Sequence, residues 1–180
     1  MKKRIALGSG LLGAIVLAFA GVAMAGTPGS TSCNGDIGGG VVSTNLNVPA
    51  GATCRLFGTE VKGNISVGAG ATLHTFGFTA DQNVNVNGGY FVDNNQGFTI
   101  KGNLSIDSSQ GDPYVANNGF WSDYSPSYIG GNFSYTNNVG WFYAGSNGGF
   151  PMTVHGNFTY AGNGRPYQGG LTVQGQSNIS

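Results

Sequence analysis

The sequence predicts an all-β fold, a single-stranded parallel β-solenoid of about seven coils, wound as a right-handed β-helix. A short motif of glycine, asparagine and alternating apolar residues recurs along the chain, as in residues 101–106 (Lys-Gly-Asn-Leu-Ser-Ile). After position 25, no long stretch has the apolar i, i+3, i+4, i+7 spacing of an amphipathic helix. A repeat of about 20 residues with period-two alternation is typical of solenoids, and the crossover rule favours the right hand.

The repeat is measured from one position in each copy. These positions are Asn64, Asn83, Asn103, Asn132, Asn157 and Gln176. Their numbers differ by 19, 20, 29, 25 and 19 in turn, and a match of residues 46–54 to residues 65–73 adds one coil upstream. In each coil we expect up to three short strands, of which the first follows the asparagine and the second is rich in glycine and aromatic residues.

Apolar residues alternate with small polar residues after each asparagine. Period two places one set on one side of the strand, namely Ile65/Val67, Val84/Val86, Leu104/Ile106, Phe133/Tyr135 and Phe158/Tyr160. In a solenoid this side must face inward. The inward residues change from aliphatic to aromatic where the coils lengthen, and a wider cross-section needs larger side chains for close packing.

The segment 1–25 has the pattern of a secretory signal peptide, which we expect to be helical. A basic start (residues 2–4) precedes an apolar stretch (residues 5–22), and Ala-Met-Ala at 23–25 fits a cleavage site before Gly26. A retained membrane anchor is less favoured, because glycines interrupt the apolar stretch. The sequence therefore predicts a signal peptide (1–25), a flexible lead (26–32) and a β-helix domain (33–180). The mature protein would be extracellular or at the cell surface, without a membrane span.

Charge and cysteine content limit the partners and the compartment. Without the segment 1–25 the chain has four basic and seven acidic residues, so no clustered basic face exists for nucleic acid. Cys33 and Cys54 are spaced in sequence by close to one repeat. In a secreted chain we expect them to pair and to join neighbouring coils. Free thiols or a two-cysteine metal site are weaker alternatives, since no histidine is near either cysteine in sequence.

Stacking the coils would turn each outward position into a ladder. The first ladder is Asn64, Asn83, Asn103, Asn132 and Asn157, with Ser66, Asn85, Ser105, Ser134 and Thr159 beside it. The amides can hydrogen-bond along the stack, or the array can match a repeating ligand such as a polysaccharide or ice. A second ladder of alternating charge is formed by Lys62, Asp81 and Lys101, and we interpret it as setting register.

Aromatic residues with nearby carboxylates form the candidate ligand site. Exposed rings would make a stacking platform for sugars, with the members Asp112, Tyr114, Trp121, Asp123, Tyr124, Trp141 and Tyr143. Alternatively, the rings are covered by the insertions at 107–118 and 136–139.

Catalysis is the least favoured function. Asp93 and Asp123 occupy matching places in the second strands of successive coils, as paired carboxylates of a polysaccharide-active enzyme would. Seven acidic residues meet such a pattern easily by chance, and His74 and His155 are about four coils apart. No phosphate loop or zinc motif occurs. The sequence therefore predicts no catalytic residue, metal or cofactor.

The repeated Gly-Asn-apolar-Ser motif and the Gly-Ala-Gly-Ala-Thr segment (68–72) resemble small secreted bacterial parallel β-helix proteins, and faintly bactofilins, which are polymer-forming β-helical scaffolds. The resemblance implies a fold and not a function. We expect a non-enzymatic structural or surface-associated protein of the envelope, matrix or adhesion type. Its expected partner is an extracellular polysaccharide or envelope component, and end-to-end self-association is a variant. A carbohydrate-binding module and a polysaccharide-active enzyme are the alternatives.

Overall fold

The computed structural model describes residues 29–94, 96–109, 119–122, 126–144, 152–165, 167 and 170–180, and these residues contain strands and turns but no helix. The predicted signal peptide (1–25) lies outside the described residues. The first seven strands are β1 (Ser30–Ser32), β2 (Gly35–Ile37), β3 (Gly40–Val42), β4 (Asn45–Val48), β5 (Thr53–Phe57), β6 (Thr59–Val61) and β7 (Ile65–Val67). The next seven are β8 (Thr72–Phe76), β9 (Phe78–Ala80), β10 (Val84–Asn87), β11 (Tyr90–Asp93), β12 (Phe98–Ile100), β13 (Leu104–Asp107) and β14 (Gly119–Ser122). The last seven are β15 (Ser127–Ile129), β16 (Phe133–Thr136), β17 (Trp141–Ala144), β18 (Met152–Val154), β19 (Phe158–Ala161), β20 (Leu171–Val173) and β21 (Ser177–Ile179).

The strands form three parallel sheets, and each turn of the chain visits them in the same order. Sheet A is β1-β4-β7-β10-β13-β16-β19-β21, sheet B is β2-β5-β8-β11-β14-β17 and sheet C is β3-β6-β9-β12-β15-β18-β20. The predicted parallel β-solenoid is therefore confirmed. About six turns contribute a strand to every sheet, and the turn containing β19 and β20 has no sheet B strand among the described residues. The predicted number of seven coils is therefore not confirmed.

The pairing register follows the predicted repeat. Val84 lies opposite Ile65 on one side and Leu104 on the other, so the preceding asparagines are aligned. The same alignment continues through Phe133 and Phe158. One strand lies inside the range predicted as a flexible lead, since β1 (Ser30–Ser32) pairs with β4.

The inward residues form one continuous core, as the alternation predicts. Its aliphatic part includes Ile65, Val84 and Leu104, all fully buried. Its aromatic part is built from Phe133, Tyr135, Phe142, Phe158 and Tyr160. The Tyr135 and Tyr160 rings stack with centroids 5.5 Å apart and an interplanar angle of 9°. Burial raises the pKa of the Tyr135 hydroxyl, which donates a hydrogen bond to the carbonyl of Gly140.

The predicted disulfide closes the first turn. Cys33 and Cys54 are bonded, with their Cα atoms 5.5 Å apart. Cys33 follows β1, whereas Cys54 lies in β5 of the next turn, so the bond joins neighbouring coils as expected. Both side chains are buried in the core.

Candidate functional site

The asparagines of the repeat form a continuous hydrogen-bonded column along the edge of sheet A. The side-chain oxygen of each asparagine accepts a hydrogen bond from the backbone N–H of the equivalent residue in the next turn. The distances are 2.9 Å from Asn83 to the N–H of Asn103, and 2.8 Å from Asn103 to Asn132 and from Asn132 to Asn157. The column begins at Asn45, which sequence analysis missed, and ends when Asn157 binds the N–H of Gln176 at 2.9 Å.

The glycine before most of these asparagines makes room for the column. A Cβ atom at Gly131 would lie 2.4 Å from the side-chain oxygen of Asn103, and one at Gly175 would lie 2.6 Å from that of Asn157. Real Cβ atoms do not approach so closely. Where Gln82 replaces the glycine, the bond from the Asn83 N–H to Asn64 is longer, at 3.3 Å. The glycine therefore permits the short bonds of the column.

A second column on sheet A consists of outward polar side chains. Pairing aligns Ser32, Asn47, Ser66, Asn85, Ser105, Ser134, Thr159 and Asn178 on successive strands. None of these eight side chains forms a hydrogen bond with another described residue. Parallel strands are spaced about 4.8 Å apart, so amide and hydroxyl groups repeat at that interval. This column, which we call the sheet A face, is uncharged and offers free donors and acceptors.

Asp107 lies at the margin of the sheet A face and is fixed in place. Its carboxylate accepts hydrogen bonds from the Ser108 and Thr136 hydroxyls, both at 2.7 Å, and from the Asn137 amide at 2.9 Å. These bonds, that from Thr136 most strongly, lower the pKa of Asp107. Ser108 and Asn137 have a φ of 57°, a conformation that serine and asparagine tolerate better than bulky residues do.

The alternating charges predicted at the turn between sheets C and A are in contact. Lys62 lies 3.1 Å from Asp81, and Lys101 lies 2.7 Å from the other oxygen of Asp81. Hydrogen bonds from Lys101 and Lys62 lower the pKa of the Asp81 carboxyl. Glu60 also pairs with Lys62, at 2.5 Å. The ions are partly exposed, so we assign this column to register between the turns rather than to chemistry.

The buried amide of Asn138 and the half-buried amide of Asn163 form a third column, which sequence analysis missed. The side chain of Asn138 is fully buried. Its oxygen accepts the N–H of Ser109 at 2.8 Å, and its amide group donates to the carbonyl of Ile106 at 3.1 Å. Asn163 repeats the arrangement one turn later by accepting the N–H of Asn138 at 2.9 Å. The amides satisfy backbone groups at the corner between sheets A and B, where the chain leaves the strands.

The predicted aromatic platform lies mostly outside the described residues. Asp112, Tyr114, Asp123 and Tyr124 are not among them, and the side chains of Trp121, Trp141 and Tyr143 are not described either. The backbone pairing places Trp121 opposite Tyr143 and Trp141 opposite Gly119. A described ring pair that sequence analysis missed lies on sheet B, where Phe57 and Phe76 stack with centroids 4.5 Å apart. Phe57 is 37% exposed.

The carboxylates proposed as an alternative catalytic pair are not equivalent. Val92 lies opposite Trp121, so Asp93 is aligned with Ser122 and not with Asp123. The predicted match of Asp93 with Asp123 is therefore wrong by one position. Aromatic residues follow the glycine in both strands, so the sequence alone does not distinguish the two registers. Asp93 is fully buried, and its oxygens accept bonds from the Thr75 hydroxyl at 3.3 Å and the Gly97 N–H at 3.2 Å. Asp93 therefore stabilises a turn inside the solenoid.

A shallow groove of about 280 Å³ runs along the turn between sheets B and C. Its lining includes the polar residues Glu60, Thr79, Gln96 and Thr99 together with glycines and Phe98. Within the described parts of the chain, no three His, Cys, Asp or Glu side chains are grouped to hold a metal ion. The same parts include no helix that is long and apolar enough to cross a membrane.

No protein family, curated protein or solved structure matches this chain. The structure shows a β-solenoid of parallel strands, and the resemblance to bactofilins has no further support. Function must therefore be argued from the columns themselves.

Proposed function

We propose that this chain is a non-enzymatic extracellular structural protein that lies along an uncharged, hydroxyl-rich polymer of the cell envelope or matrix. The observation that carries the proposal is the sheet A face, whose outward amides and hydroxyls have no partner among the described residues. Such groups bind a ligand without first breaking bonds inside the protein. A repeat of about 4.8 Å over eight strands favours a long ligand with its own regular spacing.

The asparagine column keeps this face rigid. Because the amide oxygens of Asn64, Asn103 and Asn132 are used by the backbone of the next turn, they hold the spacing rather than the ligand. A face ordered before binding loses little conformational entropy when the ligand arrives. The asparagine column therefore stabilises the fold, and the sheet A face beside it is available to bind a ligand.

The chemistry of the face selects an uncharged partner. Ser66, Ser105 and Ser134 are short hydroxyls, and Asn47 and Asn85 are amides. Neutral donors and acceptors suit sugar hydroxyls, while an anionic polymer would require a basic face. The location outside the cytoplasm is supported by the Cys33–Cys54 disulfide, since such bonds persist mainly in oxidising compartments, and by the signal-like segment 1–25.

Sedimentation with insoluble polysaccharides tests the proposal. Cellulose, chitin and purified peptidoglycan are incubated with the wild type and with a Ser66→Lys/Ser105→Lys variant. Two long cations on the sheet A face should weaken binding to the preferred polymer by about tenfold or more, equivalent to about 1.4 kcal/mol. The matched control is Thr79→Lys/Thr99→Lys, which places the same charges on sheet C in the adjacent part of the coil. Equal binding by wild type and the sheet A variant, or loss only in the control, would overturn the assignment.

A carbohydrate-binding module that uses aromatic rings is the second candidate. It is favoured by the pairing of β14 with β17, which aligns Trp121 and Tyr143 on adjacent turns. Stacking of sugars on such rings would change tryptophan fluorescence. Soluble glycans that quench or blue-shift the emission of the wild type, but not of Trp121→Ala, would favour this candidate over the sheet A face.

A further inference from the structure

We infer that the groove at the turn between sheets B and C is a binding site for a neutral mono- or disaccharide. It is a different surface from the sheet A face, and it takes a soluble sugar rather than a long polymer. The inference does not depend on the proposed function, because none of the described residues that line the groove belongs to the sheet A face.

Three stacked glycines give the groove its shape. Gly58, Gly77 and Gly97 lie at the same corner of successive turns, with φ values of 56°, 68° and 69°. Glycine adopts this conformation readily, whereas other residues rarely do. A Cβ atom at Gly58 would meet no described atom within 4 Å, so the space above it is open. No side chain projects from the corner at these three positions, which leaves a recess.

The polar side chains of the groove come from sheet C and from the corner. Glu60, Thr79 and Thr99 occupy one outward column of sheet C on successive turns, and Gln96 lies at the corner. A Cβ atom at Gly77 would lie 3.4 Å from the side-chain oxygen of Gln96, so this amide lies over the glycine. Thr79, Thr99 and Gln96 form no side-chain hydrogen bond with another described residue. Their donors and acceptors are therefore available to a ligand.

Buried side chains hold the chain in place on both sides of the corner. The fully buried Asp93 carboxylate accepts the N–H of Gly97 at 3.2 Å, and this bond fixes the turn that carries Gln96. Thr59, which is 1% exposed, donates its hydroxyl to two backbone carbonyls of the previous turn, both at 3.2 Å. A site that is ordered before binding loses less conformational entropy when the ligand arrives. These buried bonds therefore favour binding without contacting the ligand.

The chemistry of the lining selects a neutral ligand that carries hydroxyl groups. Glu60 is the one carboxylate among the described lining residues, which include no lysine, arginine or histidine. Its charge is already paired with Lys62 at 2.5 Å. An anionic ligand would therefore meet a carboxylate and no basic partner. Threonine hydroxyls and a glutamine amide both donate and accept hydrogen bonds, as the hydroxyls of a neutral sugar require.

The size of the groove limits the ligand to one or two sugar rings. Its volume of about 280 Å³ lies at the lower end of the roughly 300–1,000 Å³ found for small-molecule sites. Tyr128 continues the column of Thr79 and Thr99 on the next turn and is 38% exposed. Its ring offers the apolar surface that the C–H groups of a sugar need, beside the hydroxyl of Thr99. A ring and several hydrogen-bonding groups thus lie within reach of one small ligand.

Isothermal titration calorimetry with cellobiose, maltose and diacetylchitobiose tests the inference. At least one of these neutral disaccharides should bind the wild type, whereas glucuronic acid, which is anionic, should not. Gln96→Ala and Thr99→Val each remove one polar group from the groove and should weaken binding by about fivefold. The matched controls are Gln82→Ala, at an exposed position of another corner, and Thr153→Val, beyond Tyr128 in the same column. Both should bind like the wild type.

A crossed comparison separates this site from the sheet A face. Thr79→Lys/Thr99→Lys places two long side chains in the groove and should abolish disaccharide binding. The same variant should still sediment with insoluble polymer, because packed polymer chains present a surface and cannot enter a recess of this size. Ser66→Lys/Ser105→Lys should behave in the opposite way. Failure of disaccharide binding therefore leaves the proposed function intact, and failure of polymer binding leaves the inference intact.

Three results would overturn the inference: no binding of any of the neutral disaccharides, full affinity in both Gln96→Ala and Thr99→Val, or binding of glucuronic acid as tight as that of the disaccharides. Circular dichroism of each variant confirms that the solenoid is folded before it is compared. Trp121→Ala should bind the disaccharide like the wild type. Loss of binding in that variant alone would also overturn the inference, because it would assign the sugar to the aromatic residues instead.

Discussion

The side-chain oxygen of Asn132 lies 2.6 Å from the point where a Cβ atom of Gly156 would be. The same oxygen accepts the backbone N–H of the next residue, Asn157, at 2.8 Å. Gly156 thus leaves space for the side chain of Asn132, and the next residue, Asn157, donates a hydrogen bond to it. This relationship explains why glycine precedes asparagine in most copies of the repeat.

Gly156→Ala should destabilise the protein more than Asn132→Ala. The alanine Cβ meets the side chain of Asn132 and also the backbone of Gly131 at 2.7 Å, and backbone cannot move aside easily. We expect a loss of roughly 1–3 kcal/mol from overpacking. Asn132→Ala removes one hydrogen bond near solvent, with a loss of about 1 kcal/mol. Urea denaturation followed by circular dichroism measures both. Gly164→Ala, where the nearest contact would be an ordinary 3.5 Å, is the control.

Asn138→Ala should be among the most destabilising single changes on the polar columns. It leaves the N–H of Ser109 without its partner and removes the amide bond to the carbonyl of Ile106. Each unsatisfied buried group costs about 1–3 kcal/mol. The neighbouring Asn137→Gly is the control, because Asn137 is exposed and its φ of 57° suits glycine. Thermal unfolding should show a large decrease in Tm for the first variant and a small one for the second; equal decreases would contradict the role assigned to Asn138.

Loss of the disulfide should loosen the first turn before the others. The bond closes a loop with a sequence separation of 21, for which the chain-entropy treatment gives roughly 3 kcal/mol. Cys33→Ala/Cys54→Ala should therefore lower the free energy of unfolding by about that amount. Limited proteolysis should cut first between β1 and β4. Adding reductant to the variant serves as control, and any further loss of stability would show that the bond is not the cause.

Asp81 should stabilise the solenoid at neutral pH and cease to do so in acid. Hydrogen bonds from Lys101 and Lys62 lower its pKa in the folded protein. A carboxyl whose folded pKa lies below its unfolded value of about 3.9 stabilises the fold above that value and loses the effect as pH falls through the folded pKa. Asp81→Asn should therefore be less stable than wild type at neutral pH, and the difference should vanish in strong acid. Denaturation at several pH values measures it. A difference that persists in acid would contradict an ionic origin.

Much of the fold is readable from the sequence because the repeat fixes register directly. Once Asn64, Asn83 and Asn103 are aligned, period two decides which residues are inward, and the buried positions agree. Asn45 was missed because Thr44 precedes it in place of the expected glycine. Glycine is not required at position 44 because the residue of the previous turn that is paired with Asn45 is Ser30. No asparagine side chain has to fit beside Thr44.

The buried corner could not be predicted for a different reason. The column of Ser109, Asn138 and Asn163 changes residue type between turns, and its members lie in segments of unequal length. Neither composition nor period identifies such positions. These residues share one role, which is to hydrogen-bond backbone groups that the strands leave unpaired at the corner. The position of those groups depends on the three-dimensional path of the chain.

The hydrogen bonds of the asparagine column join residues that are 19, 20, 25 or 29 positions apart in sequence. The bond geometry is nevertheless the same, because the extra residues are accommodated after the sheet A strand has passed. Unequal numbers of residues between two Gly-Asn pairs therefore leave the bonds of the column intact. One flank of the molecule can therefore differ from turn to turn while the opposite flank keeps a constant pattern of hydrogen bonds.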